Sequence, residues 1–157
     1  MTAVFVEAET HKGTSLIEIL QNCLIFNDKV FSNVTDKSVK LDMQLWLEHG
    51  QPMIFGANKN KGLILNGFHL EIVTIGENGV TEADILVHDA HCEDSTMHSM
   101  LIRMHAPNFP VAFGVIRKVE CETFDANLWK QIDEVKENAK INSVDELMNS
   151  GVTWEIE

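Results

Sequence analysis

Three cysteines, seven histidines and no tyrosine bound the chemistry open to this 157-residue chain. The first candidate is Cys23, in Gln21-Asn22-Cys23, directly after the apolar run Leu16-Ile17-Glu18-Ile19-Leu20. If that run is a strand, the thiol sits at its C-terminal end, where open α/β sheets gather ligands. There it could coordinate a metal or face a cofactor. The competing reading is a small buried hydrophobe, the commonest fate of a free cysteine. A lone thiolate cannot hold an iron–sulfur cluster, which needs four ligands. The second candidate is His88-Asp89-Ala90-His91-Cys92, with Glu93, Asp94 and His98 nearby. Imidazole, thiolate and carboxylate are all zinc-type ligands. The spacing matches no zinc pattern, and a polar loop capping the next helix explains the same residues. The third is the basic run Lys59-Asn60-Lys61, with Lys12 and Lys40 elsewhere. It could bind an anion or be solvated like most surface lysines. Cys121 lies between Glu120 and Glu122, whose negative charge makes it a poor nucleophile.

The motifs of self-sufficient enzymes are missing. The chain has no GxGxxG and no P-loop. It has no GxSxG elbow and no HExxH. No CxxC pair occurs. No catalytic residue and no cofactor-binding residue is assigned from spacing.

Composition narrows the partners. Lys plus Arg number 12 against 24 Asp plus Glu, a net charge of −12. A surface that acidic repels phosphate backbones and anionic lipid, so neither nucleic acid nor membrane is expected as a partner. No apolar run approaches the ~18 residues of a spanning helix. The N-terminal Glu7 and Glu9 stand where a secretory signal would carry basic residues. An odd set of cysteines without CxxC fits a reducing compartment, and the cytoplasm is the expected location. A hydrophobic share of 45% with 23% charged residues is ordinary for a globular chain.

The elements that must position these groups follow from pattern and punctuation. Residues before Gly13 can form a short helix that the glycine ends. Thr14–Leu20, rich in Ile and Leu, reads as a strand buried on both faces of a parallel sheet. Ser38–Glu48 reads as a helix, with Leu41, Leu45 and Trp46 on one face. Pro52–Gly56 is a short apolar piece, strand or loop. Leu63-Ile64-Leu65, Asn66-Gly67 and Phe68–Ile75 predict a β-hairpin, because Asn-Gly between β-prone runs is a strong turn signal. Thr81–Asp84 reads as a turn or weak helix start before Ile85-Leu86-Val87. Asp94 or Ser95 can cap a helix reaching Met104. Pro110–Ile116 reads as a strand. Phe124, Leu128, Ile132 and Val135 mark a helix capped by Thr123 or Asp125. Ser143-Val144-Asp145-Glu146 is a capping box that opens a last helix. The order predicts an α/β or mixed fold, and the strand at 14–20 needs neighbours this order does not supply. An incomplete domain is therefore expected, with an open edge beside 14–20 that promotes association and poor stability alone.

Taken together, several blocks resemble one family. They are His11-Lys12-Gly13-Thr14-Ser15, Gln21–Asp28, Leu47–Gly56, Asn60-Lys61-Gly62, Gly76–Glu82, Leu86–Asp89 and Phe109–Ala112. In this order they resemble the β subunit of 2-oxoacid:ferredoxin oxidoreductases, 2-oxoglutarate type, over nearly the whole chain. The match is to the C-terminal part of that subunit. The family's upstream part carries a CxxC-containing cysteine set and the acidic–Asn motif for Mg²⁺ and thiamine diphosphate, and neither is in this sequence.

The resemblance implies the rest. Residues 1–50 would be the C-terminal piece of a thiamine-diphosphate-binding domain, a partial open sheet with helices. Residues 51–157 would be the C-terminal region of the β subunit, a mixed segment with a β-hairpin. Cys23 matches the family's fourth ligand to a 4Fe-4S cluster. The family often has Pro where this chain has Leu24, and commonly Gly where it has Lys29. The implied reaction is oxidative decarboxylation of a 2-oxoacid to acyl-CoA, with electrons passed to ferredoxin. Thiamine diphosphate, Mg²⁺ and the cluster would belong to the full assembly, with none held by this chain alone. The partners implied are the α subunit, the missing N-terminal half of the β subunit, ferredoxin, the 2-oxoacid and coenzyme A. Two rival readings stand beside it. One is a non-catalytic subunit-interaction module left by truncation, the other a small zinc protein using His88, His91 and Cys92.

Overall fold

The computed structural model describes residues 2–152 and 154. The chain divides into two compact units, Met1–Glu120 and Cys121–Glu157.

The first unit opens with helix α1 (Thr2–Thr10). The helix ends at Thr10, three residues before Gly13 at φ 110, the glycine the sequence predicts as its end. Lys118 pairs with Glu7, and the His11 ring meets the Val119 carbonyl at 3.5 Å, so α1 is held to the segment after the last strand of this unit.

The strand expected at 14–20 does not form. Residues 14–22 carry no strand pairing; Leu16 is 95% exposed and Ile19 53%. An apolar run becomes a strand only when a neighbour satisfies its backbone groups, and the described residues offer none here.

Two short helical turns follow, α2 (Ser32–Thr35) and α3 (Lys40–Met43). The helix expected over 38–48 stops at Met43, and Gln44–Leu47 becomes strand β1. Leu45 and Leu47 are buried while Trp46 is exposed, a period of two. Leu41 is 55% exposed, so the supposed Leu41–Leu45–Trp46 face does not exist. Parallel pairing overrides the helical spacing: β1 runs beside β5 (Val111–Gly114), with Leu45 opposite Ala112 and Trp46 opposite Phe113. The Trp46 and Phe113 rings stack at 5.2 Å across that pair.

Between these two strands in the chain lies a three-stranded antiparallel sheet: β2 (Ile54–Phe55), β3 (Lys61–Asn66) and β4 (His69–Thr74). The predicted hairpin is present, with its turn one residue later than Asn66-Gly67. Asn66 pairs with His69, leaving Gly67-Phe68 as the loop. Gly67 has φ 61 and Phe68 is not in that region, the pattern of a turn with glycine first. Of the alternating set in β4, Leu70 is buried and Ile72 half-buried, but Phe68 sits in the turn, 99% exposed.

Thr81 and Asp84 cap each other around a 3₁₀ turn at Glu82–Asp84. Helix α4 (Thr96–Ile102) follows, its first turn held by the Asp94 carboxylate, which accepts the Thr96 N–H at 2.7 Å. Leu45, Leu47, Met53, Phe55, Leu63, Leu70, Leu101 and Met104 form one core, drawn from both sheets and α4. The fold is therefore mixed α/β, with a parallel pair, an antiparallel sheet and helices.

The second unit holds α5 (Phe124–Glu137) and α6 (Val144–Met148). Thr123 caps α5 through the Ala126 N–H at 3.3 Å. Ser143 caps α6 through the Glu146 N–H at 3.1 Å. The Glu146 carboxylate returns to the N–H of Asn142 rather than that of Ser143, so the expected box is offset by one residue. No described helix is long and apolar enough to cross a membrane.

Two histidines lie inside the first unit, His88 and His98, each 2% exposed. His88 Nε2 lies 3.0 Å from the Val115 carbonyl, which binds the 88–98 loop to the segment after β5. Burial pushes the His88 imidazole below its ordinary range, against the opposing pull of the Val115 carbonyl. A neutral imidazole is thus part of the folded state, and protonation favours the unfolded chain. Stability tied to His88 is complete above an unfolded value of about 6.5 and is lost as pH falls below it. Thermal melts between pH 7.5 and 5.5 should show this loss. His88→Gln keeps an amide donor for Val115 without a titrating proton, and should flatten the dependence. An equal pH slope in both proteins would remove His88 from the account. The end of the parallel pair gives a second expectation. Gly114 has φ 99, and a Cβ there would stand 2.6 Å from the Leu47 carbonyl oxygen. Gly114→Ala should cost about 1–3 kcal/mol in denaturant unfolding, because neither the backbone angle nor the carbonyl can yield.

Candidate functional site

Cys23 is half-buried and begins a tight turn, Cys23–Asn27. The Asn27 N–H donates to the Cys23 carbonyl at 3.0 Å, and the two residues form an isolated antiparallel bridge. The chain doubles back within five residues, and the backbone N–H groups of Phe26, Ile25 and Asn27 hold the Cys23 thiol below its ordinary range. That is an environment suited to a thiolate.

The turn is anchored from outside by Asn22. Its Nδ2 donates to Asp28 Oδ1 at 3.0 Å, and its Oδ1 accepts the Lys29 N–H at 2.8 Å. Lys29 adopts φ 57, the left-handed region that favours glycine. Lys29 therefore carries the cost of a backbone conformation that glycine adopts freely. Leu24, Ile25 and Phe26 at the tip are 77%, 86% and 90% exposed. A hollow of about 210 Å³ lies alongside, lined by residues that include Leu20, Asn22, Lys29, Phe31 and Asp36.

The sequence points to Cys23 but predicts a strand end to project it. A clamped turn does so instead. The clamp of Asn22 and Asp28 escapes the sequence reading; two amide- or carboxylate-bearing residues flanking a five-residue segment are its only signal.

The other candidates are not assembled into sites. His91 Nδ1 lies 2.7 Å from the Lys118 carbonyl, and His98 Nε2 lies 2.9 Å from the Asp89 carbonyl. With His88 on Val115, three of the four histidines in this region bind backbone carbonyls. The fourth, His49, which the sequence does not single out, accepts the Ala90 N–H at 3.2 Å and packs edge-on against His91. Among the described residues no three His, Cys, Asp or Glu side chains gather as a metal would need. His88, His91 and Cys92 thus do not form a zinc site; the loop's imidazoles tie backbone segments together. Lys61 of the basic run is paired with Asp42 at 2.8 Å, where its ammonium holds the Asp42 carboxyl below the usual range. An anion would have to displace that carboxylate.

A four-iron cluster fits Cys23 in one respect and fails in another. The turn lowers the Cys23 thiol from its ordinary range, which favours the thiolate a cluster ligand must be. The chain's three cysteines cannot supply four ligands. Cys23 could hold a cluster only together with thiolates from another polypeptide. Among the described residues no His, Cys, Asp or Glu cluster could hold the Mg²⁺ of a thiamine diphosphate site, and no step through that cofactor is assigned to them.

No protein-family model and no solved structure matches the chain. Among curated proteins it is similar to the 2-oxoglutarate oxidoreductase subunit KorB of Mycobacterium tuberculosis, at 29% identity over 160 residues. The match covers all of this chain and 42% of that protein, so the chain spans less than half the length of the relative it matches. The similarity across the whole chain is in accord with the β-subunit resemblance carried by its motif blocks.

Proposed function

We propose that this chain is the C-terminal portion of the β subunit of a 2-oxoacid:ferredoxin oxidoreductase, 2-oxoglutarate the favoured substrate. It acts only within an assembly. Residues 1–50 complete a thiamine-diphosphate-binding domain supplied mainly by another polypeptide, and residues 51–157 form the region that ends the β subunit. The assembly converts a 2-oxoacid and coenzyme A to acyl-CoA and carbon dioxide, and reduces ferredoxin, in the cytoplasm. The α subunit and the N-terminal half of the β subunit are its direct partners.

The observation that carries this reading is the similarity to KorB over the whole chain, with half-buried Cys23 at the start of a turn whose tip is exposed. In the assembly Cys23 is one of four thiolate ligands to a 4Fe-4S cluster. When bound, that cluster supplies one-electron transfer. The chain's own contribution is to hold the sulfur on a short, closed turn whose backbone N–H groups lower the thiol from its ordinary range. The exposed Leu24, Ile25 and Phe26 cover the cluster's surroundings once the partner is in place, and exclusion of water there governs potential.

A second reading is favoured by the same exposed side chains. Leu16, Leu24, Ile25 and Phe26 offer apolar area suited to a protein interface, whether or not a cofactor is nearby. In that case the chain is a subunit-interaction module that binds a partner and no cofactor.

Anaerobic reconstitution separates the two. The chain is co-purified with a polypeptide carrying the CxxC set and the thiamine motif. A broad iron–sulfur absorption band is expected, and Cys23→Ser should weaken it while the two polypeptides still co-elute. A band of unchanged strength in Cys23→Ser would end the ligand role. Co-elution without any band would favour the interaction module.

A further inference from the structure

The four apolar residues that predict a helix at Phe124–Glu137 meet no core. No residue of α5 is buried, and Phe124 and Val135 are 83% and 66% exposed. A helix of 14 residues gains little from propensity alone; its order ordinarily comes from an apolar face packed on something. We infer that the occupant of this face is α5 of a second copy of the chain, packed antiparallel. The inference does not depend on the ligand reading of Cys23.

Self-complementarity of the helix carries it. At about 100° per residue, Phe124, Leu128, Ile132 and Val135 form one stripe. A two-fold axis level with Lys130 sets Phe124 against Val135 of the second copy and Leu128 against Ile132, each contact made twice. A large ring then faces a small side chain, and leucine faces isoleucine, so the seam fills without a gap. Charge fixes the direction. Asp125 and Lys136 lie on the same flank of the stripe, one near each end. In an antiparallel pair a flank meets itself run backwards, so Asp125 of each copy falls level with Lys136 of the other. Two ion pairs then border the apolar seam. A parallel pair would instead leave Asp125 facing Asn127, which carries no charge. Lys136 is free to make the new contact: its pairing with Asp133 is 3.8 Å long, between side chains 70% and 66% exposed, and such pairs hold weakly.

The test is sedimentation equilibrium of the full chain in about 0.15 M salt, where charges more than roughly 8 Å apart are screened. The unaltered chain should pass from monomer to dimer between about 1 μM and 1 mM, the weak range that suits an interface of four apolar side chains per copy. Leu128→Glu should abolish the dimer. Asp125→Lys and Lys136→Asp each set like charges across the seam, and each should raise the dissociation constant about tenfold. An equal mixture of these two variants should associate as well as the unaltered chain, because it sets two lysines of one copy against two aspartates of the other. Mixing does not repair a frayed helix, and far-ultraviolet circular dichroism of each variant alone reports fraying directly. Asp125→Lys also makes a chain of net charge −12 less negative, so a general charge effect would tighten association where this contact loosens it. A chain that stays monomeric throughout leaves the face to some other polypeptide and would overturn the inference. So would a dimer that Leu128→Glu leaves intact, an Asp125→Lys variant that associates like the unaltered chain, or a mixture no tighter than its components.

Discussion

The parallel pairing of Gln44–Leu47 with Val111–Gly114 is the constraint on which the first unit depends. Parallel neighbours cannot be joined by a tight turn, so a long connection must be ordered before this pairing is gained. Here the connection contains a whole antiparallel sheet and α4. The ordering cost is offset by burial, because the connection delivers Met53, Phe55, Leu63, Leu70 and Leu101 onto Leu45 and Leu47. Gly62 shows how close the packing is: a Cβ there would fall 2.4 Å from Cδ1 of Ile85. The buried His88 serves the same end, joining the loop before α4 to the segment after β5 through Val115.

How much of this is legible in the sequence varies with the range of the forces. The hairpin, α4, β5, α5 and the two serine and threonine caps are encoded locally, and they lie where local pattern places them, within a residue or two. The failures are both tertiary. Leu41, Leu45 and Trp46 have helical spacing, but Gln44–Leu47 has alternation too, and only the partner strand Val111–Gly114 decides between them. Thr14–Leu20 has the composition of a buried strand, and without a pairing partner composition alone orders nothing. The histidine loop is legible as polar and helix-capping. Its tie to carbonyls 27 residues away is not, since no local pattern specifies a partner at that distance.

At the candidate site the same distinction holds. Cys23 is visible as a residue type, and the resemblance gives it a role. Its surroundings are misread because they depend on a strand that does not form. Asn22, Asp28 and Lys29 are polar residues of a kind found in any turn, and their arrangement depends on a left-handed backbone at Lys29 that a lysine does not advertise. The departure from the family's glycine signals a changed turn in sequence terms. In the structure Lys29 takes the left-handed backbone that a glycine would adopt freely.

A turn closed by its own side chains differs in consequence from one held by a sheet. The Asn22 bonds and the Cys23–Asn27 bridge are all made within residues 22–29, so their formation does not wait on any neighbouring strand. The sulfur's environment is thus set in this chain alone, while the apolar tip at Leu24–Phe26 stays exposed. A side chain already fixed in place loses less entropy when it binds anything, which is the physical advantage of preorganisation. The run at 14–20 has no such internal closure: it carries no strand pairing, and Leu16 is exposed. Within one short stretch, then, the chain holds a run without strand pairing and a neighbouring turn closed by its own residues.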